Sequence, residues 1–214
     1  MTKLQALLIP VTPFQQNCSL VYDAETKVGA VVDPGGDVDM ILDAIKQSGV
    51  TVEKILLTHG HIDHAGGAAA LKEKLNVPIE GPHPEDLFLL EKLDQTGAQY
   101  GMADARPVTP DRWLKEGDTV TVGGLSFAIH EAPGHTPGSV VFFNDANRFA
   151  LVGDVLFQGS IGRTDFPRGD HATLIRSIKE KLYPLGDDVI CLPGHGQPCQ
   201  IGVERESTPF LNEG

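Results

Sequence analysis

Along the chain, apolar and polar positions alternate with a period of two in some stretches and three to four in others. Leu4 to Ile9, Asn17 to Tyr22 and Gly29 to Val32 read as strands, with Asp23 to Lys27 as the turn between the second and third. The period then changes. Val38, Ile41, Leu42 and Ile45 recur at helical spacing up to Gly49, with Asp37 placed to cap that helix. Lys54 to Leu57 is a short apolar strand, and a helix follows from about Ala65 to Leu75. His83-Pro84-Glu85-Asp86 carries helix-start signals, and Leu87, Leu90 and Leu93 continue that stripe. Thr96 to Lys115 shows little periodicity and reads as a long loop. Strands resume at Thr119–Val122, Ser126–Glu131, Ser139–Phe143 and Phe149–Val152. Asp170 caps a last helix whose stripe is Leu174, Ile175, Ile178 and Leu182, and Asp188 to Leu192 is a final strand.

Two halves echo each other in this pattern. In the first, Val-Val-Asp-Pro-Gly-Gly precedes a helix and then the strand that runs into Thr58-His59-Gly60. In the second, Leu-Val-Gly-Asp precedes a helix and then the strand that runs into Pro193-Gly194-His195-Gly196. The expected class is α+β, with two β-rich halves that carry helices outside and meet along one edge. The 214 residues suit one domain, and no linker divides residues 1–214.

Composition narrows the function. The net charge of −12 gives no Lys/Arg cluster for a phosphate backbone, so no nucleic-acid partner is expected. No stretch reaches the length of a membrane span, and the opening apolar run is broken by Pro10 and Pro13 before it could serve as a signal segment. Cys18, Cys191 and Cys199 are too few and too odd in number for a disulfide framework, which leads to a reducing, cytoplasmic setting. Cys191 reads as a core residue.

The chemistry concentrates in Thr58-His59-Gly60-His61-Ile62-Asp63-His64. Residues two apart after a strand face one side, so His59 and His61 can approach one metal ion. Asp63 and His64, at the start of the next helix, would serve a second ion. Each half-site lacks donors, because such ions take about four ligands, with N or O at roughly 2.0–2.2 Å for zinc. Three further residues end apolar strands beside glycines: His135, Asp154 and His195. The assembled expectation is His59, His61 and His135 on the first ion; Asp63, His64 and His195 on the second; and Asp154 bridging both, with a bridging hydroxide on the open face. Two divalent ions, two aspartates and the hydroxide leave one net positive charge, suited to an anionic tetrahedral intermediate. His83, His130 and His171 lack this context and read as structural or exposed. A structural zinc site would need one closed shell rather than seven donors around an open pair. The ligand types suit zinc first, with iron or manganese as alternatives.

These motifs resemble the metallo-β-lactamase-fold superfamily, from Val32-Asp33-Pro34-Gly35-Gly36 to Gly194-His195-Gly196. The resemblance implies a four-layer αβ/βα sandwich and the same seven ligands. Within it, Ala132-Pro133-Gly134-His135-Thr136-Pro137-Gly138 and Gly153-Asp154-Val155-Leu156-Phe157 are similar to glyoxalase II, hydroxyacylglutathione hydrolase. Gly159-Ser160-Ile161-Gly162-Arg163-Thr164-Asp165-Phe166 resembles the short, single-domain bacterial (YcbL-like) type. The implied activity is hydrolysis of S-lactoylglutathione or a related hydroxyacyl thioester. The bridging hydroxide would attack, Asp63 would orient it, and Asp154 would hold both ions. Few residues follow His195, so the C-terminal helical domain that contacts glutathione in longer relatives is expected to be missing. Arg163 matches a glutathione-contacting position, while Asp165 and Gln197 stand where tyrosines are expected. Arg163 has a second reading as a structural ion pair with Asp165 or Asp170. A persulfide dioxygenase using one iron on His59, His135 and Asp154 is the alternative activity, and a hydrolase of another ester or lactone is a third.

Overall fold

A computed structural model describes residues 3–212 of the chain. Its frame is two β-sheets. The first contains β1 (Leu4–Val11), β2 (Gln16–Asp23), β3 (Val28–Val32), β4 (Thr51–Leu56) and β5 (Ile79–Glu80), in that spatial order. The second has β6 (Thr119–Val122), β7 (Leu125–Glu131), β8 (Val140–Asn144), β9 (Phe149–Gly153), β12 (Ile190–Pro193) and β13 (Cys199–Gln200), in the order β13-β12-β9-β8-β7-β6. A two-stranded ribbon, β10 (Leu156–Phe157) with β11 (Ser160–Ile161), leaves the end of β9.

Most neighbours are antiparallel, but β3–β4–β5 and β9–β12 run parallel. Parallel neighbours need a crossover, normally a helix on the sheet face. Helix α1 (Val38–Ser48) links β3 to β4, and α6 (His171–Ser177) with its continuation Ile178–Leu182 lies between β9 and β12. Between them lie α2 (Ile62–Ala65), α3 (Ala68–Leu75), α4 (Leu87–Leu90) and α5 (Leu93–Tyr100); α7 (Ile201–Ser207) and α8 (Pro209–Asn212) close the chain.

Three apolar layers join these elements. Val21, Ala30, Val32 and Leu56 of the first sheet pack on Val120, Phe127, Phe142 and Leu192 of the second. Ile41, Ile45 and Leu71 cover the outer face of the first sheet, and Leu174, Ile178 and Leu182 cover that of the second. This is the four-layer αβ/βα sandwich. Fully burying one such side chain contributes roughly 1.5–3 kcal/mol, and the central strands, covered on both faces, are near-continuous apolar runs for that reason.

Some expectations are corrected. Asp37 does not cap α1: its backbone is left-handed (φ 48°) and its carboxylate instead accepts from the Thr12 N–H at 2.6 Å. Asp170 does cap α6, accepting from the Thr173 N–H at 2.7 Å. The helix after the histidine cluster begins at Ile62 and breaks at Gly66-Gly67 before α3. The stretch read as a loop from Thr96 holds the end of α5, and β13, α7 and α8 follow the strand taken as final. The short pieces β5, β10 and β11 span only two residues each, too few to show a period. The three cysteines are free and buried. Among the described residues no helix is long and apolar enough to cross a membrane.

Candidate metal centre

The two parallel strand pairs aim their C-terminal ends at one place. β3 ends at Asp33, β4 runs into His59, β9 into Asp154 and β12 into His195. The loop after β7 brings His135, and the first turn of α2 brings Asp63 and His64. With His61 beside His59, seven side chains from His59 to His195, separated by up to 136 positions in sequence, thus meet between the sheets' ends, with Asp33 behind them.

Their donor atoms fall into two groups. His61 Nδ1 lies 3.1 Å from His59 Nε2 and 2.9 Å from His135 Nε2. His195 Nε2 lies 3.1 Å from Asp63 Oδ2, and His64 Nε2 is 3.8 Å from that same oxygen. Each set has the mutual spacing of atoms that could share one ion. Asp154 stands between the sets: Oδ2 is 3.6 Å from His135 Nε2 and 3.7 Å from His195 Nε2, and Oδ1 is 3.3 Å from His64 Nε2.

The outer hydrogen bonds decide which nitrogen is bare. The Arg163 carbonyl can only accept, so His135 Nδ1, 2.7 Å away, donates to it. Asp33 Oδ2 accepts from His64 Nδ1 at 2.9 Å and from the Thr58 hydroxyl at 2.6 Å. With its proton committed to Asp33, the Thr58 hydroxyl accepts from His59 Nδ1 at 3.1 Å. A neutral imidazole carries one N–H, so with Nδ1 committed outward each of the three rings turns its Nε2 inward. Moreover, His64 Nε2 and Asp154 Oδ1 are buried without a hydrogen-bond partner. Orphaned buried donors and acceptors are costly, and a pair of divalent cations on these seven residues would satisfy them. The donor set fits the group.

Charge follows the same geometry. Burial, then the neighbouring rings, holds His59 well below the usual imidazole range. Burial and His135 bring His61 down to about 3. Burial also lowers His135, although Asp154 opposes it. At His64 burial is outweighed by Asp154 and Asp63, which push it well upward, and at His195 burial is outweighed by the hydrogen bond it donates to Asp63, which pushes it up as well. The first group is therefore a set of neutral imidazoles, and the second a place where positive charge is already favoured.

The floor is closed and the rim open. His59 and His64 are fully buried, whereas the His195 side chain is 31% exposed. Phe166 stands 5.0 Å from the His61 ring, and Phe157 stands 6.3 Å from the His195 ring. The Arg163 guanidinium lies 4.2 Å over Phe166 and pairs with Asp165 through two hydrogen bonds of 2.7 and 2.6 Å. Arg163 thus supports His135 through its backbone while its side chain sits at the mouth. A cavity of about 1050 Å³ lies elsewhere, beyond Gly35 and Gly66 and against α1 and α3. None of the seven residues lines it, and its charges pair locally as Lys74 with Asp39 and Arg106 with Glu73.

Two residues of this arrangement escaped sequence reasoning. Asp33 was visible only as part of a turn, and Asp86 only as an acid in a helix start. Asp86 is fully buried, and burial pushes its carboxyl up to about 6 although Thr136, Gly60 and Gly138 donate to it. Neither is in a metal-ligand spacing; a polar residue at the end of an apolar strand was the available signal for Asp33.

Comparison with known proteins agrees with this geometry. Residues 11–195 match the family model described as the metallo-beta-lactamase superfamily. The chain is 48% identical to hydroxyacylglutathione hydrolase GloC of Haemophilus influenzae, over 96% of this chain and 97% of that one. Among solved structures it is similar to the BLEG-1 B3 metallo-beta-lactamase (TM-score 0.89, 34% identity, 97% of this chain and 100% of that one). It is also similar to TTHA1623 in a di-iron-bound form (TM-score 0.87, 36% identity, 96% and 100%). A sandwich whose strand ends converge on this His/Asp cluster, matched over nearly its whole length, belongs to the metallo-beta-lactamase superfamily and is a metal-dependent hydrolase of it.

Proposed function

We propose that the chain hydrolyses S-lactoylglutathione or a closely related hydroxyacyl thioester, with two divalent ions held by His59, His61 and His135, by Asp63, His64 and His195, and by Asp154 between them. The observation that carries this reading is the pair of complete donor sets joined by one carboxylate, in a chain 48% identical to a hydroxyacylglutathione hydrolase. When bound, the ions supply Lewis acidity toward the acyl oxygen and lower the pKa of a water at neutral pH.

The residues of the chain do the rest. Asp63, hydrogen-bonded to His195, would anchor and orient the attacking water at the second group. Asp154 holds the two groups at a fixed separation. Asp33, Thr58 and the Arg163 carbonyl lock the tautomers, so no ring must turn when substrate arrives. Phe166 and Phe157 flank the mouth and shield the reacting carbonyl from bulk water. Arg163 offers a guanidinium to a carboxylate of the glutathione moiety. A thiolate leaves readily and needs no dedicated acid beside the centre. Zinc suits this donor set, and iron suits it as well. Three buried free thiols accord with a cytoplasmic setting.

The test is turnover of S-lactoylglutathione, followed by loss of thioester absorbance and release of glutathione thiol, beside a β-lactam and glutathione persulfide. Thioester hydrolysis that outpaces the other two substrates supports the reading. Oxygen consumption with the persulfide would replace it by the one-iron dioxygenase on His59, His135 and Asp154, and a preference for the β-lactam would replace it by lactam hydrolysis.

A further inference from the structure

Asp86 lies in the short turn Pro84–Asp86, fully buried and outside the seven-residue centre. Its Oδ2 accepts from the Gly60 N–H and from the Thr136 hydroxyl, each at 2.8 Å, and its Oδ1 accepts from the Gly138 N–H at 2.7 Å. Gly60 is the residue between His59 and His61. Thr136 directly follows His135. One carboxylate therefore ties together the two loops that carry the three-histidine group, and among the described residues it hydrogen-bonds neither to Asp63 or His64 nor to the loop of His195.

Further contacts fix the turn itself. The His83 N–H donates to the Gly138 carbonyl at 3.1 Å, and the Asp86 N–H donates to the His83 carbonyl at 3.1 Å. A Cβ on Gly138 would stand 2.6 Å from the Asp86 carboxyl carbon, so glycine there is what admits the carboxylate. Among the described residues Asp86 forms no ion pair; its charge is met by these three donors, with His83 near enough to favour it. The tie joins donors from both loops: the inward nitrogens of His61 and His135 stand 2.9 Å apart, close enough to share one ion.

We propose that Asp86 is a positioning residue for the three-histidine subsite, clamping its two loops at binding distance before the ion arrives. This rests on the two-ion reading above. Holding ligands in place beforehand removes ordering cost from the binding step, and outer partners of metal ligands change affinity by roughly 10–100-fold. Because the clamp reaches only one subsite, its removal should be felt there alone.

Asp86→Asn keeps the shape but not the acceptors. Whichever way the carboxamide turns, an N–H faces a backbone N–H, that of Gly60 or of Gly138. The experiment titrates the full, metal-stripped chain with zinc against a chromophoric chelator and resolves two dissociation constants. In Asp86→Asn one constant should rise by roughly 10–100-fold while the other stays put. In a His195→Ala background, which leaves the three-histidine subsite intact, the remaining constant should rise by the same factor. Two unchanged constants, or two that rise together, would overturn the proposal. Should Asp86→Asn fail to fold, Thr136→Val removes one donor only; a smaller rise confined to the same constant supports the clamp, and no selective rise overturns it. Wild-type chain that takes up fewer than two zinc ions counts against the two-ion reading itself, a result distinct from either variant's.

Discussion

The seven donors are common residue types; what singles them out is the partner on the far side of each ring. His59, His64 and His135 each give one N–H to an oxygen outside the cluster and turn a bare nitrogen inward. Arg163 connects this shell to the mouth, since its carbonyl holds His135 and its guanidinium lies on Phe166. If that guanidinium also clamps a substrate carboxylate, Arg163→Ala should raise KM on the order of 10-fold or more while leaving kcat nearly unchanged, because the contact is remote from the reacting carbonyl. Asp165 competes for the same guanidinium, so Asp165→Asn should lower KM. Steady-state kinetics on S-lactoylglutathione checks both, and an Arg163→Ala variant with unaltered KM and a lower melting temperature would leave only the ion pair with Asp165.

The elements that matter are the ends of parallel strands, where the chain turns sharply beside a proposed ligand. Gly194 precedes His195, and a Cβ there would stand 2.2 Å from Asp154 Oδ1 and 2.4 Å from His64 Cε1. Gly194→Ala should therefore displace the second subsite, lowering bound metal below two ions per chain and abolishing most turnover. Elemental analysis beside the assay tests this, and full occupancy with ordinary turnover would contradict the placement of His195. The strand ends were legible in the sequence because an apolar run that stops at Gly-His or Gly-Asp leaves the period visible. The histidine cluster was legible because four donors fall within six residues. Asp86 and Asp33 were not, since a carboxylate that serves backbone N–H groups or a ring from behind carries no spacing of its own. The left-handed backbone of Asp37 was hidden too: an acid before an apolar stripe looks like a cap whether or not its side chain turns toward the helix.

At the scale of the whole molecule, each donor group draws on both halves of the chain, yet the two groups differ in charge, and pH should reveal it. Metal binding requires deprotonated ligands. In the three-histidine group burial already holds His59, His61 and His135 below the usual imidazole range, so protons compete weakly there as pH falls. His64 and His195 are pushed above that range by Asp154 and Asp63, so protons compete for the second group from higher pH. Acidification from neutral pH should thus release the ion of the Asp63–His64–His195 group first. A cobalt-substituted chain, followed by its visible absorption during a pH titration, would show two steps in that order, and a single concerted step would contradict it.

The most direct measurement is reconstitution. The chain is stripped with a chelator and titrated with zinc while thioester hydrolysis is followed at saturating S-lactoylglutathione. Hydrolysis should be absent in the stripped chain, rise with added zinc and level off at two ions per chain. Full activity without metal, a plateau at one ion, or turnover only with ferrous iron and consumption of dioxygen would contradict a binuclear thioester hydrolase.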